Sequence, residues 1–155
     1  MVFKGKHVED RLSHDVEVEQ ISESEIDVYN RILLGSFEMA VGWKKGFDKL
    51  IRILMRTGWR CWLAYVEGKP VGTSALASYG RTGGIFNVGT LRGYRGRSVG
   101  TALTVHALVG SMDEKNELHM LETEMGGNAE RLYEKVGFRV DHTVSYFVKE
   151  FHGKN

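Results

Sequence analysis

One short segment of the sequence combines residue types and spacings that suit a phosphate-binding site. Residues 88–103 read Val-Gly-Thr-Leu-Arg-Gly-Tyr-Arg-Gly-Arg-Ser-Val-Gly-Thr-Ala-Leu, which predicts a strand, a turn rich in glycine and arginine, and then a helix. The first N–H groups of a helix lack partners within it, and together with the helix dipole they attract anions. Gly96 and Gly100 let the backbone approach a ligand, and the nearby arginines add positive charge. The segment therefore predicts an anion site.

The glycine spacing disfavours two common classes of phosphate-binding protein. The P-loop pattern is Gly-x-x-x-x-Gly-Lys-Ser/Thr, and the dinucleotide pattern is Gly-x-Gly-x-x-Gly. Gly93, Gly96 and Gly100 fit neither spacing. A P-loop kinase and a Rossmann dehydrogenase are therefore weak hypotheses.

The elements that must position this segment mix strands and helices in one sheet. Hydrophobic periodicity and turn residues predict strands at residues 16–19, 60–66, 71–79, 85–91, 118–123, 138–140 and 144–151. Helices are predicted from a capping box at Ser22 and Glu25 to Phe37, and over residues 43–57, 99–112 and 129–136. The short connections between residues 60 and 91 favour an antiparallel meander.

Length, charge and cysteine content limit the classes of protein that the chain can belong to. Its 155 residues fit one domain over 1–155, with residues 1–15 as a loose N-terminal arm. A net charge of +1 disfavours nucleic acid and anionic membranes as partners, and no apolar run reaches the roughly 20 residues of a membrane span. The single cysteine, Cys61, excludes an internal disulfide and multi-cysteine zinc patterns, so no metal is expected. The sequence predicts a soluble cytoplasmic protein.

Two motifs in this chain resemble those of a known family. Arg95-Gly96-Arg97-Ser98-Val99-Gly100 resembles the (Gln/Arg)-x-x-Gly-x-(Gly/Ala) motif of the GNAT superfamily of acetyl-CoA-dependent acetyltransferases. Residues 129–138, Ala-Glu-Arg-Leu-Tyr-Glu-Lys-Val-Gly-Phe, resemble the block Ala-x-x-Leu-Tyr-(Glu)-(Lys)-x-Gly-Phe of the same family. The order and distance of the two motifs also agree, and the resemblance covers residues 16–150.

The resemblance implies an α/β domain of the mixed α+β kind, with a central, mostly antiparallel sheet flanked by helices. The fourth and fifth strands of that sheet would be splayed. It also implies an N-acetyltransferase that moves acetyl from acetyl-CoA directly to a primary amine of an unidentified small-molecule or peptide acceptor. A non-catalytic coenzyme A sensor and a fold used mainly for dimerisation are the alternatives, and a homodimer stays open.

Site residues follow from the same resemblance. The strand residues Val88, Gly89 and Thr90 would offer backbone groups to the pantetheine arm, with Gly89 suited to a bulge that opens the gap. Tyr133 would protonate the sulfur of coenzyme A as it leaves. The pyrophosphate would be held by residues of the first motif and the start of the helix, namely Arg95, Gly96, Arg97, Ser98, Val99, Gly100 and Thr101.

Two positions depart from the family pattern. Ser98 replaces the central glycine of the first motif, which would cost about 1 kcal/mol if that position needs a positive φ. We expect a negative φ instead, with the Ser98 hydroxyl free to bind phosphate. Gly126 stands where many members carry asparagine, and Asn128 nearby is expected to cap the following helix.

The reaction needs a group that removes a proton from the amine. A lysine-like amine has a pKa of about 10.4 and is almost entirely protonated near pH 7. Glu122 and Glu124 are predicted on one face of a strand opposite the cofactor strand, which makes them candidates for a proton relay. Cys61 is expected to be a buried apolar side chain rather than a nucleophile. Candidates to wall the acceptor side are Phe37, Glu38, Met39, Trp43 and Tyr146.

Overall fold

Strands from both ends of the chain form one sheet, and α-helices cover its two faces. The computed structural model describes residues 1–5 and 15–147. Within these residues the strands are β1 Val2–Phe3, β2 Glu17–Gln20, β3 Arg60–Val66, β4 Lys69–Tyr79, β5 Thr82–Thr90, β6 Leu118–Leu121 and β7 Phe138–Arg139. The α-helices are α1 Ile26–Ser36, α2 Lys44–Arg56, α3 Val99–Asp113 and α4 Asn128–Val136. None of them is both long and apolar enough to span a bilayer.

The sheet has the order β2-β3-β4-β5-β6-β1-β7. All neighbouring strands run antiparallel except β5 and β6, which are parallel because α3 connects them as a crossover. The expectation of a mixed α/β domain with a mostly antiparallel sheet is confirmed.

Alternation along the central strands divides the core into two layers. Cys61 and Leu63 of β3 pack with α1 and α2, in a cluster that includes Tyr29 and Ile51. Trp62, with its neighbours Ala64 and Val66 on the same strand, packs on the other face, in the cluster that holds α3 and Tyr133 of α4. Helix α3 is apolar nearly all round, so it can be buried between the sheet and α4.

Strands β5 and β6 separate part of the way along the sheet. Residues Thr82 to Ile85 pair with Leu118 to Leu121, after which β6 ends while β5 continues to Thr90. These are the fourth and fifth strands of the sequence-based expectation, renumbered because β1 precedes them. The expected splaying is confirmed, and it opens a cleft between the end of β6 and residues 86–90.

The two ends of the chain differ from the expectation. Residues 1–5 do not form a loose arm: β1 lies between β6 and β7, with Val2 paired to Met120 and Arg139. Residues 6–14 of that arm lie outside the described residues. The last predicted strand is wrong over 144–147, which have no regular secondary structure, and its remainder lies outside the described residues. Two residues are too few to show a strand period, so the sequence could not place β1.

Candidate active site

A bulge interrupts β5 just after it parts from β6. Thr73 pairs with Gly89 and Ala75 with Phe86, so Ser74 alone stands opposite both Asn87 and Val88. Asn87 has a left-handed backbone, with φ of 56°. The bulge therefore lies immediately before Gly89 and not at it, which corrects the sequence-based placement.

Gly89 is required for a different reason. A Cβ on Gly89 would lie 2.8 Å from Cβ of Ser36 and 3.0 Å from Cε2 of Phe37. Only a residue without a side chain lets the end of α1 approach β5 this closely. Phe37 therefore lies on the β5 side of the cleft.

Residues 91–101, which comprise the connection from β5 to α3 and the first three residues of α3, are called the β5–α3 turn below. It contains one 3-10 turn, Arg92–Tyr94, followed by two left-handed residues, Gly96 with φ of 80° and Ser98 with φ of 61°. The expected negative φ at Ser98 is wrong, since the chain must reverse sharply there to enter α3. The Ser98 side chain forms no capping hydrogen bond with the helix.

The β5–α3 turn leaves a row of backbone donors unused. The first hydrogen bond at the start of α3 is from Ala102 N to Ser98 O, at 3.0 Å. The six preceding N–H groups, from Gly96 to Thr101, donate to no acceptor among the described residues. Left-handed residues at 96 and 98 within such a turn form the concave arrangement of N–H groups that binds anions. The helix dipole of α3 adds partial positive charge at the same place.

The two arginines of the first motif bind the protein itself. Arg95 donates from Nε to Thr90 O at 3.3 Å and from Nη2 to Ser36 O at 3.0 Å. It thereby ties the turn to the ends of β5 and α1. Arg97 donates from Nη2 to Glu67 Oε1 at 3.0 Å and lies over the Tyr94 ring. Their side chains fix the turn, and its free donors are backbone groups.

Tyr133 of α4 is buried in the core layer that also holds α3. Its ring meets the Phe138 ring edge to face at 6.3 Å, and only 7% of the residue is exposed. Burial raises the pKa of Tyr133 to about 12, so the phenol is neutral at physiological pH. Its hydroxyl has no hydrogen-bond partner in residues 1–5 and 15–147, which leaves it available to a ligand.

Helix α4 is held close to α3 by a glycine. A Cβ on Gly100 would lie 2.9 Å from Cδ1 of Leu132 and 3.8 Å from Oγ1 of Thr90. Gly127 occupies the cap position of α4, and Asn128, expected to be the cap, is the first helical residue. Because Gly100 has no side chain, β5, α3 and α4 can approach one another closely at this residue.

The two glutamates beyond β6 line a cavity of about 390 Å³. The predicted strand ends early, at Leu121, so Glu122 and Glu124 do not alternate along it, yet both line the same space. The other lining residues are Met1, Met120, Leu121, Thr123, Met125, Glu130, Val140, His142, Thr143, Val144, Ser145 and Tyr146. Apolar walls with a few carboxylates are typical of a small-ligand site.

Hydrogen bonds orient one of these carboxylates. The Tyr146 hydroxyl donates to Glu122 Oε1 at 2.6 Å, and this contact raises the pKa of Tyr146. Glu124 lines the same cavity, and its carboxylate has no side-chain partner in the described part of the chain. Of the residues predicted to wall the acceptor side, Tyr146 therefore lies beside Glu122 and Phe37 lies beside Gly89.

Three other residues predicted to wall the acceptor side are exposed on the connection between α1 and α2. Met39 is 38% and Trp43 is 62% exposed, and Glu38 lies 3.9 Å from Arg95.

Cys61 is buried, and burial raises its pKa to about 11, so it remains a thiol with no nucleophilic role. The sequence missed the residues that hold the bulge, Thr73 and Asn87, because a bulge has no spacing signature of its own.

Comparisons with known proteins agree with this geometry. A family model described as an acetyltransferase (GNAT) domain matches residues 57–140. No curated protein matches the sequence.

Solved structures of acetyltransferases share the fold. An acetyltransferase from Trypanosoma brucei superposes with a TM-score of 0.70 at 21% identity, over 87% of this chain and 100% of that one. A predicted acetyltransferase from Clostridium acetobutylicum, solved with acetyl-CoA, gives 0.69 at 17% identity, over 85% and 96%. Glucosamine-6-phosphate N-acetyltransferase from Arabidopsis thaliana gives 0.66 at 17% identity, over 88% and 99%. At these identities the likeness establishes the fold alone.

Proposed function

Because this chain belongs to the GNAT acetyltransferase family, we propose that it transfers an acetyl group from acetyl-CoA directly to a primary amine. The observation that carries the proposal is the row of six backbone N–H groups, from Gly96 to Thr101, that have no acceptor within the described residues. Unpaired donors at the start of a helix are costly unless water or a ligand binds them, and a pyrophosphate satisfies several at once.

The residues of the β5–α3 turn would hold the pyrophosphate through their backbone. Gly96, Arg97, Ser98, Val99, Gly100 and Thr101 supply the N–H groups, and Arg95 holds the turn in place through Thr90 O and Ser36 O. The Arg97 side chain is paired with Glu67, so this residue would contribute its backbone N–H rather than a free charge. This arrangement binds an anion by geometry and by the dipole of α3 without a lysine.

The pantetheine arm would lie along the C-terminal part of β5. Val88, Gly89 and Thr90 extend past the last residue of β6, so β6 offers no backbone partner to them. An extended amide-bearing arm can use such free groups as an added strand would. The absence of a side chain at Gly89 lets Ser36 and Phe37 approach β5 closely on this side of the cleft.

Tyr133 would act as the general acid. A thioester supplies an acyl carbon that an uncharged amine attacks directly. Tyr133 donates a proton to the sulfur as the carbon–sulfur bond breaks and the carbon–nitrogen bond forms. Its raised pKa keeps the proton on the phenol until that moment.

Glu122 and Glu124 would deliver the amine in its reactive form. Their carboxylates attract the ammonium group into the cavity, and they accept its proton directly or through water. Glu122 is oriented by Tyr146, whereas Glu124 is free to reorient towards the substrate. No covalent intermediate on the protein is needed, because the attack on the thioester is direct.

Acetyl-CoA binding is the first test. A ligand that binds only the folded protein stabilises it by about 2.7 kcal/mol at 100 times its dissociation constant, so acetyl-CoA should raise the Tm measurably. Release of coenzyme A thiol is then followed with a panel of amines that includes peptides with free N-termini, polyamines and aminoglycosides. No stabilisation would refute the proposal, and stabilisation without thiol release from any amine would favour a sensor.

Substitutions separate the catalytic roles. Tyr133→Phe should lower kcat by about 100-fold or more while it leaves acetyl-CoA affinity unchanged, as expected for loss of a general acid. Glu122→Gln and Glu124→Gln should lower kcat/KM for the amine, most strongly near neutral pH. Glu134→Gln, on the exposed part of α4, is the matched control and should change neither constant.

A further inference from the structure

We propose that Thr73, Asn87 and Tyr29 are positioning residues that hold β5 in its bulged form and thereby shape the acetyl-CoA cleft. This inference rests on the function proposed above. None of the three belongs to the motifs of the sequence analysis, and none touches the residues assigned to catalysis.

Thr73 satisfies the carbonyl that the bulge takes out of the ladder. In a regular antiparallel pair, each backbone carbonyl that faces the neighbouring strand accepts from a backbone N–H. Here Oγ1 of Thr73 donates to the carbonyl oxygen of Asn87 at 2.8 Å. Thr73 is fully buried, so water cannot replace the hydroxyl if it is removed.

Asn87 and Tyr29 close the same network from the α1 side. Asparagine is one of the few residues other than glycine that enters the left-handed region readily, and Asn87 does so with φ of 56°. Its Nδ2 donates to the Tyr29 hydroxyl at 3.3 Å, and that hydroxyl donates to the carbonyl of Ser74, the residue opposite the bulge, at 3.3 Å. Side-chain hydrogen bonds thus link β4 and β5 at the bulge, where the two strands are out of register.

The bulge determines which way the following residues face. Phe86 stacks on Trp59 and Asn87 contacts Tyr29, so two consecutive side chains lie on the α1 face. Val88 then packs into the α3 layer and Gly89 meets the end of α1. Without the extra residue, every later side chain would change faces.

The bulge also affects the proposed anion site, because it sets the position of Thr90. With the bulge, Thr90 lies on the α3 face, where its Oγ1 is 3.8 Å from the position of a Cβ on Gly100. Its carbonyl accepts from Arg95, which also holds the end of α1. The bulge therefore aligns the pantetheine wall of the cleft with the β5–α3 turn.

Thr73→Val removes the hydroxyl and keeps the shape and strand preference of the side chain. We expect the Kd for acetyl-CoA, measured by calorimetry on the folded protein, to rise at least fivefold, with faster amide exchange over residues 88–90. Thr82→Val, the same change at the paired end of β5, is the control and should leave the Kd unchanged. Equal Kd values for Thr73→Val and the wild type would overturn the inference while leaving the proposed function intact.

Two substitutions of Asn87 separate backbone conformation from side chain. Asn87→Gly keeps the left-handed conformation without strain, whereas Asn87→Ala strains it. We expect Asn87→Ala to raise the KM for acetyl-CoA more than Asn87→Gly, with the KM for the amine unchanged in both, and Tyr29→Phe to resemble Asn87→Gly. These variants also serve if Thr73→Val does not fold. A uniform fall in Tm without a change in the acetyl-CoA KM would refute a positioning role, and wild-type protein that fails to bind acetyl-CoA would refute the proposed function itself.

Discussion

The two sides of the cleft are built in opposite ways. The β5–α3 turn consists of consecutive residues, and the groups that we propose to bind the cofactor are backbone amides whose directions follow from φ values at Gly96 and Ser98. The acceptor-side cavity, lined by the residues that follow β6 and by residues 140–146, brings together side chains from distant parts of the chain.

Because the two sides are built differently, they differ in the substitutions that they tolerate. A backbone cradle tolerates changes of side chain at most positions, because its donors belong to every residue type except proline. A cavity made of side chains changes its shape and charge with each substitution. The cofactor side is therefore expected to be sensitive to backbone strain, and the acceptor side to side-chain chemistry.

The largest expected effect is the pH dependence of stability that comes from Tyr133. Its phenol loses a proton near pH 10 in the unfolded chain but only near pH 12 in the folded protein, so its contribution is complete below pH 10 and is lost between pH 10 and 12. Two pKa units correspond to about 2.7 kcal/mol. The unfolding free energy measured by urea titration should therefore fall less between pH 9 and 12 for Tyr133→Phe than for the wild type. The control is Tyr79→Phe, at a tyrosine that is 92% exposed, and identical pH profiles for wild type and Tyr133→Phe would contradict the burial of Tyr133.

Phe3→Ala tests whether the acceptor side depends on β1. The Phe3 ring packs against Phe138 with centroids 5.5 Å apart and lies over Gly137. Truncation of a core phenylalanine to alanine costs about 3–5 kcal/mol, and because Phe3 is only half-buried its loss should cost about 2 kcal/mol of unfolding free energy. We expect a higher KM for the amine and an unchanged Kd for acetyl-CoA. Tyr79→Ala, at an aromatic residue that is 92% exposed, is the control. A parallel loss of acetyl-CoA affinity would show that the two sides are not independent.

Gly96→Val tests the backbone cradle directly. Gly96 has φ of 80°, and a branched side chain there costs about 1–2 kcal/mol, which corresponds to roughly a tenfold higher Kd for acetyl-CoA. Gly93→Val is the matched control, because Gly93 lies in the same turn without a positive φ and a Cβ on either glycine meets nothing within 4 Å. Equal effects of the two substitutions would mean that the conformation at Gly96 is not needed for binding.

Ser98→Gly should have the smallest effect. Glycine relieves about 1 kcal/mol of left-handed strain but gives the unfolded chain a similar amount of additional entropy, so the unfolding free energy should change by less than about 0.5 kcal/mol. Acetyl-CoA affinity should stay the same or improve. Ser98→Ala keeps the strain without the hydroxyl, and a marked loss of affinity in both variants would show that the hydroxyl binds phosphate.

Local sequence patterns predicted the elements that local interactions stabilise. The Ser22–Glu25 capping box forms, with Ser22 N donating to Glu25 Oε2 at 2.9 Å, and the helix after it begins at Ile26. Strand β3 and helix α3 were also placed within a residue or two, because each has a strong apolar period and clear turn residues at its ends.

Long-range contacts decided the features that the sequence missed. The bulge at Asn87 depends on Thr73 from the neighbouring strand, and the turn that contains the left-handed Ser98 is tied through Arg95 to Ser36 O at the end of α1. The position of β1 depends on an edge of β6 that no residue near Val2 encodes. Glu122 and Glu124 reached the same cavity, but through the path of the chain after β6 rather than through strand alternation.

The sequence by itself determined the turn of glycines and arginines before α3 and the helix that carries Tyr133, because donors at a helix start and residues within one helix depend on neighbours a few positions away. Only the tertiary structure decided how far β5 and β6 diverge, where β5 is bulged and which side chains meet in the acceptor-side cavity. Those features depend on contacts between residues far apart in the chain, whose free energies no local pattern contains.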